Sequence, residues 1–327
     1  MSEPKKITLI NRNNFKLEIS TLGATILSLE VPSKNGKHIN VVVGLSHPKD
    51  YKSETYLNEG LYLGSTIGRC AGRISKDKVE INEEKYTLNN VQGIHLHGGK
   101  EGFDKKIWNI EKVDSGDSST ATLSYLSKHL EEGYPGNLKV SVIYTLTEEN
   151  ALKISFKATT DRTTILNLTN HSYFNLDGES TVLDHKLQLN SNSYLHLDKQ
   201  LIPTGKINLV EGTRFDYNKK TLIGKKDFKG LDDIFILNKN GPKAVLVSEK
   251  SGIQMKVYTN QPAMVIYTPN TFNKLPFKDN VNYSKFPAIC FEAQKYPDAI
   301  NNDNFPSILL NPEQTYINET VFEFSNT

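Results

Sequence analysis

Apolar residues recur at every second position along most of this chain. Ile7-Thr8-Leu9-Ile10 and Phe15-Lys16-Leu17-Glu18-Ile19 alternate in this way, and Asn11-Arg12-Asn13-Asn14 between them reads as a hairpin turn. The same period predicts strands over Ala24–Val31, Asn40–Val43, Ala121–Leu126, Lys139–Thr147, Ala151–Ala158 and Thr164–Thr169. It continues through Leu187–Asn190, Tyr194–Leu197, Ile234–Leu237, Ala244–Ser248, Ile253–Thr259, Ala263–Tyr267 and Pro287–Glu292. Lys78–Leu88 reads as a hairpin around Asn82-Glu83-Glu84, and Pro48–Asn58 is the best helix candidate. Strands at this spacing, without a βαβ rhythm, predict a large antiparallel β-sandwich or barrel rather than a doubly wound sheet. No Gly/Ser or Pro linker and no repeat divides residues 1–327, which are expected to form one domain.

Charge and composition narrow the function classes. The formal net charge is +2, with no basic block to attract nucleic acid and no acidic tail. Two cysteines, Cys70 and Cys290, are too few for a disulfide scaffold, so a cytoplasmic location is expected. No leader-like run and no apolar stretch of membrane-spanning length is present in the sequence, so no membrane partner is expected.

Five stretches carry candidate chemistry. In Pro287–Glu292, a strand would put Ile289 and Phe291 on one face and Cys290 and Glu292 on the other, fixing a carboxylate on a stiff support. Gly68-Arg69-Cys70-Ala71-Gly72-Arg73-Ile74 sets two guanidinium groups beside a tight bend. His95 and His97 in HLHGG would share one face of an extended segment, but no third ligand follows at metal-site spacing. His171 lies among Asn167, Thr169, Asn170, Ser172 and Asn175, a polar setting expected to leave its pKa near neutrality. Asp232 and Asp233 precede a strand and can accept from hydroxyls, or simply form an exposed turn.

Taken together, GRCAGRI, HLHGG, TNHSYFNL, GLDDIF and FEAQKYPDAINNDNFPSILLNPEQTY resemble the aldose 1-epimerase (galactose mutarotase) family, in order, from residue 68 to 316. NHSYFNL followed by E-x-Q-x-x-P-D is the most specific part. The resemblance implies the galactose mutarotase-like supersandwich, all-β with an open sugar-binding cleft. It implies interconversion of the α and β anomers of free hexoses such as glucose and galactose. It implies no cofactor and no metal, a small sugar as the only ligand, and a monomer or homodimer. It places the catalytic base on Glu292, the general acid on His171 and a second active-site histidine on His97. It places sugar binding on Arg73 and Asp232. Two positions depart from the pattern. Val265 stands where some members carry Gln, and Asp233 stands where many carry His, which is expected to add negative charge near the cleft.

Mutarotation requires a base at the C1 hydroxyl and an acid at the ring oxygen, and Glu292 with His171 would supply them. Mutual attraction is expected to lower the carboxylate from about 4.3 and raise the imidazole from about 6.5, widening the pH plateau. Three rival readings use the same residues. A hexose-6-phosphate epimerase would hold phosphate with Arg69 and Arg73. A glycoside hydrolase would pair Glu292 with Asp232. A non-catalytic carbohydrate-binding protein would need no such acid/base set.

Overall fold

A computed structural model describes residues 3–76, 78–115 and 118–327. Strands dominate, and three antiparallel sheets carry most of them. The largest has nine strands in the order Asn109–Ser115, Ser119–Ser127, Leu138–Leu146, Ala151–Thr160, Tyr316–Asn326, Ile253–Thr259, Ala244–Val247, Lys186–Leu189, Thr221–Leu222. A six-stranded sheet runs Tyr173–Phe174, Ile289–Gln294, Ala263–Tyr267, Asp232–Ile236, Ser193–Leu197, Pro203–Leu209. Lys6–Ile10, Lys16–Ser20, Thr25–Pro32 and His38–Asn40 form a four-stranded meander.

The expected β-sandwich is therefore the architecture found, and its core is built by the expected alternation. Leu138–Leu146 buries every second residue from Leu138 to Leu146, and Ile253, Met255 and Val257 do the same. Phe174 joins the layers: its ring lies 6.2 Å from Phe291 of the six-stranded sheet and 4.7 Å from Phe322 of the nine-stranded one. Asn318 of the nine-stranded sheet adds a polar tie, its amide donating to Leu168 O at 2.7 Å and Ala293 O at 3.1 Å.

Three sequence expectations need correction. The third meander strand pairs with His38–Asn40, and Asn40–Val43 leaves the sheet after Asn40. There Asn40 Oδ1 accepts from Leu29 N and Val42 N, taking the chain out of the ladder. Thr164–Thr169 is not one strand but two short pairs, Thr164–Ile165 and Thr169–Asn170, with different partners. Pro48–Asn58 divides into a 3-10 turn at Pro48–Lys52 and a six-residue α-helix at Glu54–Glu59. Ser53 caps that helix by accepting from Tyr56 N, and Gly60 ends it in the left-handed region. No helix among the described residues is long and apolar enough to cross a membrane.

Arg69 ties together two chain segments, Ser127-Lys128 and Pro135-Gly136. It is 1% exposed, and its guanidinium donates to the carbonyls of Ser127, Lys128, Pro135 and Gly136 and to Ser127 Oγ, all within 3.0 Å. Burial pushes this guanidinium down to about 10, so the carbonyl fork is what keeps the cation tolerable. Close by, Gly98 sits with φ +91°, and a Cβ there would lie 1.7 Å from Gly68 O, backbone against backbone. Arg69→Ala is expected to cost about 3 kcal/mol or more, because it strands several buried carbonyls at once. Chemical denaturation measures this, and a loss within about 0.5 kcal/mol, as for an ordinary surface change, would contradict it.

Candidate active site

Glu292 stands at the centre of the cleft floor. Its strand, Ile289–Gln294, is buried along its whole length and lies between Tyr173–Phe174 and Ala263–Tyr267. Glu292 faces Val265 across the ladder, and both line the cleft. Around them stand Tyr62, Gly72, Arg73, His97, His171, Asp232, Tyr267 and Gln294. The cleft encloses about 730 Å³ including its open mouth, a size suited to a small molecule. All five residues singled out by the family pattern thus meet in one place, although they come from five separate stretches.

The residues flanking His171 explain how it reaches Glu292. Asn167 exchanges two hydrogen bonds with the Lys295 backbone, at 3.0 and 2.8 Å. Thr169 Oγ1 donates to Ala293 O at 3.0 Å, and the Asn175 amide donates to Pro287 O at 2.8 Å. Asn170 donates to Gly64 O at 2.9 Å on the other flank. These side chains stitch the segment to both neighbours and leave the imidazole pointing into the cleft. His171 Nε2 lies 3.4 Å from Glu292 Oε1, and Nδ1 lies 3.7 Å from Cys290 Sγ.

The polar neighbours therefore serve the backbone and do not hydrate the imidazole. Rings enclose it instead: Tyr173 at 5.0 Å, Tyr62 at 5.9 Å and Tyr267 at 6.2 Å between centroids. Burial pushes His171 down to about 4, which corrects the expectation of a near-neutral pKa. Burial likewise pushes Glu292 up to about 8, with Asp232 adding to the rise and Arg73 opposing it. Loss of hydration thus outweighs mutual attraction, and both shifts run opposite to those expected from charge pairing alone.

His95 and His97 part company. His95 is fully buried, its ring nitrogens meeting Asn89 O at 2.5 Å and the Tyr134 hydroxyl. The backbone then turns at His97, which has φ +48°, so the extended geometry that would align the two rings ends at Leu96. His97 joins the cleft, its ring 4.7 Å from Tyr62 and 5.4 Å from His171. Its Nδ1 accepts from Gly72 N at 3.3 Å. Burial first, then His171 and Arg73, hold its pKa well below the usual imidazole range. A neutral ring accepting at Nδ1 carries its proton on Nε2.

The two arginines separate in the same way. Arg69 is spent on carbonyls, whereas Arg73 lines the cleft and takes no ion pair among the described residues. Asp232 faces the cleft, its pKa raised by burial with Arg73 opposing. Asp233 points away, its carboxylate 3.3 Å from Arg214 and accepting from Asp232 N at 3.1 Å. The charge expected near the cleft at Asp233 is therefore balanced outside it. Tyr62, Tyr267 and Gln294 also line the cleft and were not singled out in the sequence. Tyr267 sits inside a strand already recognised, and Gln294 falls in the E-x-Q-x-x-P-D motif two residues beyond the expected strand, which the structure extends to Gln294, whereas Tyr62 gave no signal.

The chain matches the family model for aldose 1-epimerase over residues 5–323. It is 37% identical to the galactose mutarotase of Bos taurus, across 97% of this chain and 93% of that one. It is 34% identical to the aldose 1-epimerase of Escherichia coli K12, across 97% and 94%. Two crystal structures share its fold throughout. An aldose epimerase homologue from C. elegans superposes with a TM-score of 0.91 at 30% identity, covering 99% of this chain and 100% of that one. A galactose 1-epimerase from Lactobacillus acidophilus gives 0.87 at 31%, covering 99% and 95%.

Proposed function

The chain belongs to the aldose 1-epimerase family, and we propose that Glu292 and His171 carry the proton transfers by which it interconverts the anomers of free hexoses. The protein is an isomerase of the mutarotase class. The observation that carries the residue assignment is the 3.4 Å approach of His171 Nε2 to Glu292 Oε1 on a buried cleft floor.

In the proposed reaction, the Glu292 carboxylate takes the proton of the C1 hydroxyl. The His171 imidazolium gives a proton to the ring oxygen as the bond from C1 to that oxygen breaks. The open-chain aldehyde turns about C1–C2, and the two transfers reverse on the other face. Neutral His97 donates from Nε2–H to a sugar oxygen. Arg73 and Asp232 hold further hydroxyls, one as donor and one as acceptor. Tyr62 and Tyr267 exclude water around them. Arg73 is the cation lining the cleft, and Arg69 is occupied elsewhere, which favours an uncharged sugar over a hexose phosphate.

The working pair holds one proton. That proton can sit on His171, giving the ion pair the reaction uses, or on Glu292, giving the neutral pair that burial favours at rest. Both arrangements titrate as one species. Below about 4 the pair gains a second proton on His171 and no base remains. Above about 8 it loses its proton from Glu292 and no acid remains. The acidic limb thus belongs to the imidazole and the basic limb to the carboxyl, the reverse of the assignment that unperturbed values give.

Polarimetry on fresh α-D-glucose and α-D-galactose should show accelerated mutarotation. Glucose 6-phosphate should be a poor substrate and a methyl glycoside inert. Glu292→Gln removes the base in a nearly isosteric way, so kcat should fall by about 10² or more with the fold unchanged. Retention of a tenth of the wild-type kcat would show that Glu292 is not the base. Arg73→Ala should raise KM several-fold without loss of stability, measured by the same assay together with denaturation. An unchanged KM would take Arg73 out of the binding set.

His171→Asn gives the pH test. With the imidazole gone, the residual rate depends on Glu292 alone and should climb with pH toward about 8 as the carboxyl ionises. A residual rate that is already flat above pH 5 would mean that Glu292 is ionised in the cleft and that the limb assignment is wrong.

A further inference from the structure

Gln294 ends the strand that carries Glu292, and the two-residue period puts both side chains on the cleft face. Its side chain is fully buried, and neither Oε1 nor Nε2 has a hydrogen-bond partner in the protein. Alone among the described residues, it leaves both ends of a side-chain amide buried and unpaired. Folded proteins rarely tolerate such a group without a partner of another kind.

The neighbours show why the protein supplies none. Ala263 faces Gln294 across the ladder, and Val265, one pleat away on the same face, is apolar. Pro297 and Gly72 close the remaining side. Gly72 has φ +74°, and a Cβ there would lie 2.8 Å from Pro297 and 3.8 Å from Gln294 Nε2. The amide is held by apolar contacts, with its donor and acceptor left for something in the cleft.

We propose that Gln294 determines specificity by pairing with one sugar hydroxyl, Oε1 accepting its proton and Nε2 donating to its oxygen. This rests on the epimerase reading above. Two residues of strand separate Gln294 from Glu292 by about 7 Å, a reach that crosses a pyranose ring. With Glu292 at the C1 hydroxyl, Gln294 meets the hydroxyl of C3 or C4. A fixed amide that both gives and accepts rejects an analogue lacking that hydroxyl, because the amide is then left unpaired.

The test couples a side-chain change to an atom deleted from the sugar. Wild type and Gln294→Met, which keeps length but removes the amide, are assayed polarimetrically with glucose and its 2-, 3- and 4-deoxy analogues. Wild-type kcat/KM should fall tenfold or more for either the 3-deoxy or the 4-deoxy sugar. In Gln294→Met, glucose should fall by a similar factor, chiefly through KM. The discriminated analogue should then lose nothing further, and 2-deoxyglucose should lose the same factor in both enzymes. Gln294→Leu repeats the test should the Met variant fail to fold. Equal losses for all four sugars, no loss with any, or coupling to 2-deoxyglucose alone would each overturn the proposal. Wild-type activity on glucose is read first. Its absence would sink the epimerase reading itself, whereas its presence with unchanged discrimination in the variant would sink only the role of Gln294.

Discussion

Strand alternation within Ile289–Gln294 is the constraint on which the rest depends. Ile289, Phe291 and Ala293 go into the sandwich core, where Phe291 meets Phe174. Cys290, Glu292 and Gln294 go to the opposite face. A one-residue slip would bury a carboxyl among hydrocarbon and expose a phenylalanine, so the core packing fixes the site register. The ladder to Ala263–Tyr267 and the ties from Asn167, Thr169 and Asn318 to the same strand act in concert. The cleft floor is rigid because it is the outer surface of the core.

The same alternation made most of the fold legible, and its failures have physical causes. Tyr316–Asn326 is the central strand that went unread. Its inward positions include Asn318 and Thr320, which hide the apolar rhythm although both are buried. Asn109–Ser115 was missed because it is an edge strand exposed on almost every residue, leaving no face to distinguish. Pro203–Leu209 begins with proline, contains Gly205 and lies at the edge of the other sheet.

Residue identities at the site were legible through the motifs, whereas their environments were not. Nothing adjacent to His171 in sequence says that Tyr62 and Tyr267 will cover it, because those rings arrive from about a hundred residues away on either side. The polar residues that are adjacent are consumed by backbone groups. A local reading therefore inverted the sign of the perturbation. The GRCAGRI segment repeats the lesson with charge: two identical guanidinium groups four residues apart take structural and cleft-facing places, decided by where the bend between them points.

The contact between Gly98 and the Gly68 carbonyl bears on how this cleft can be redesigned. Gly98, which follows the cleft residue His97, is laid main chain on main chain against Gly68, and even a methyl group has no room there. Evolution or an engineer seeking to admit a bulkier or differently branched sugar must leave that contact alone. The adjustable surface is made of side chains instead, the apolar Leu197, Leu201, Ile234 and Val265 that line the cleft. Substrate range in this scaffold should therefore drift through those apolar side chains while the main-chain contact stays constant.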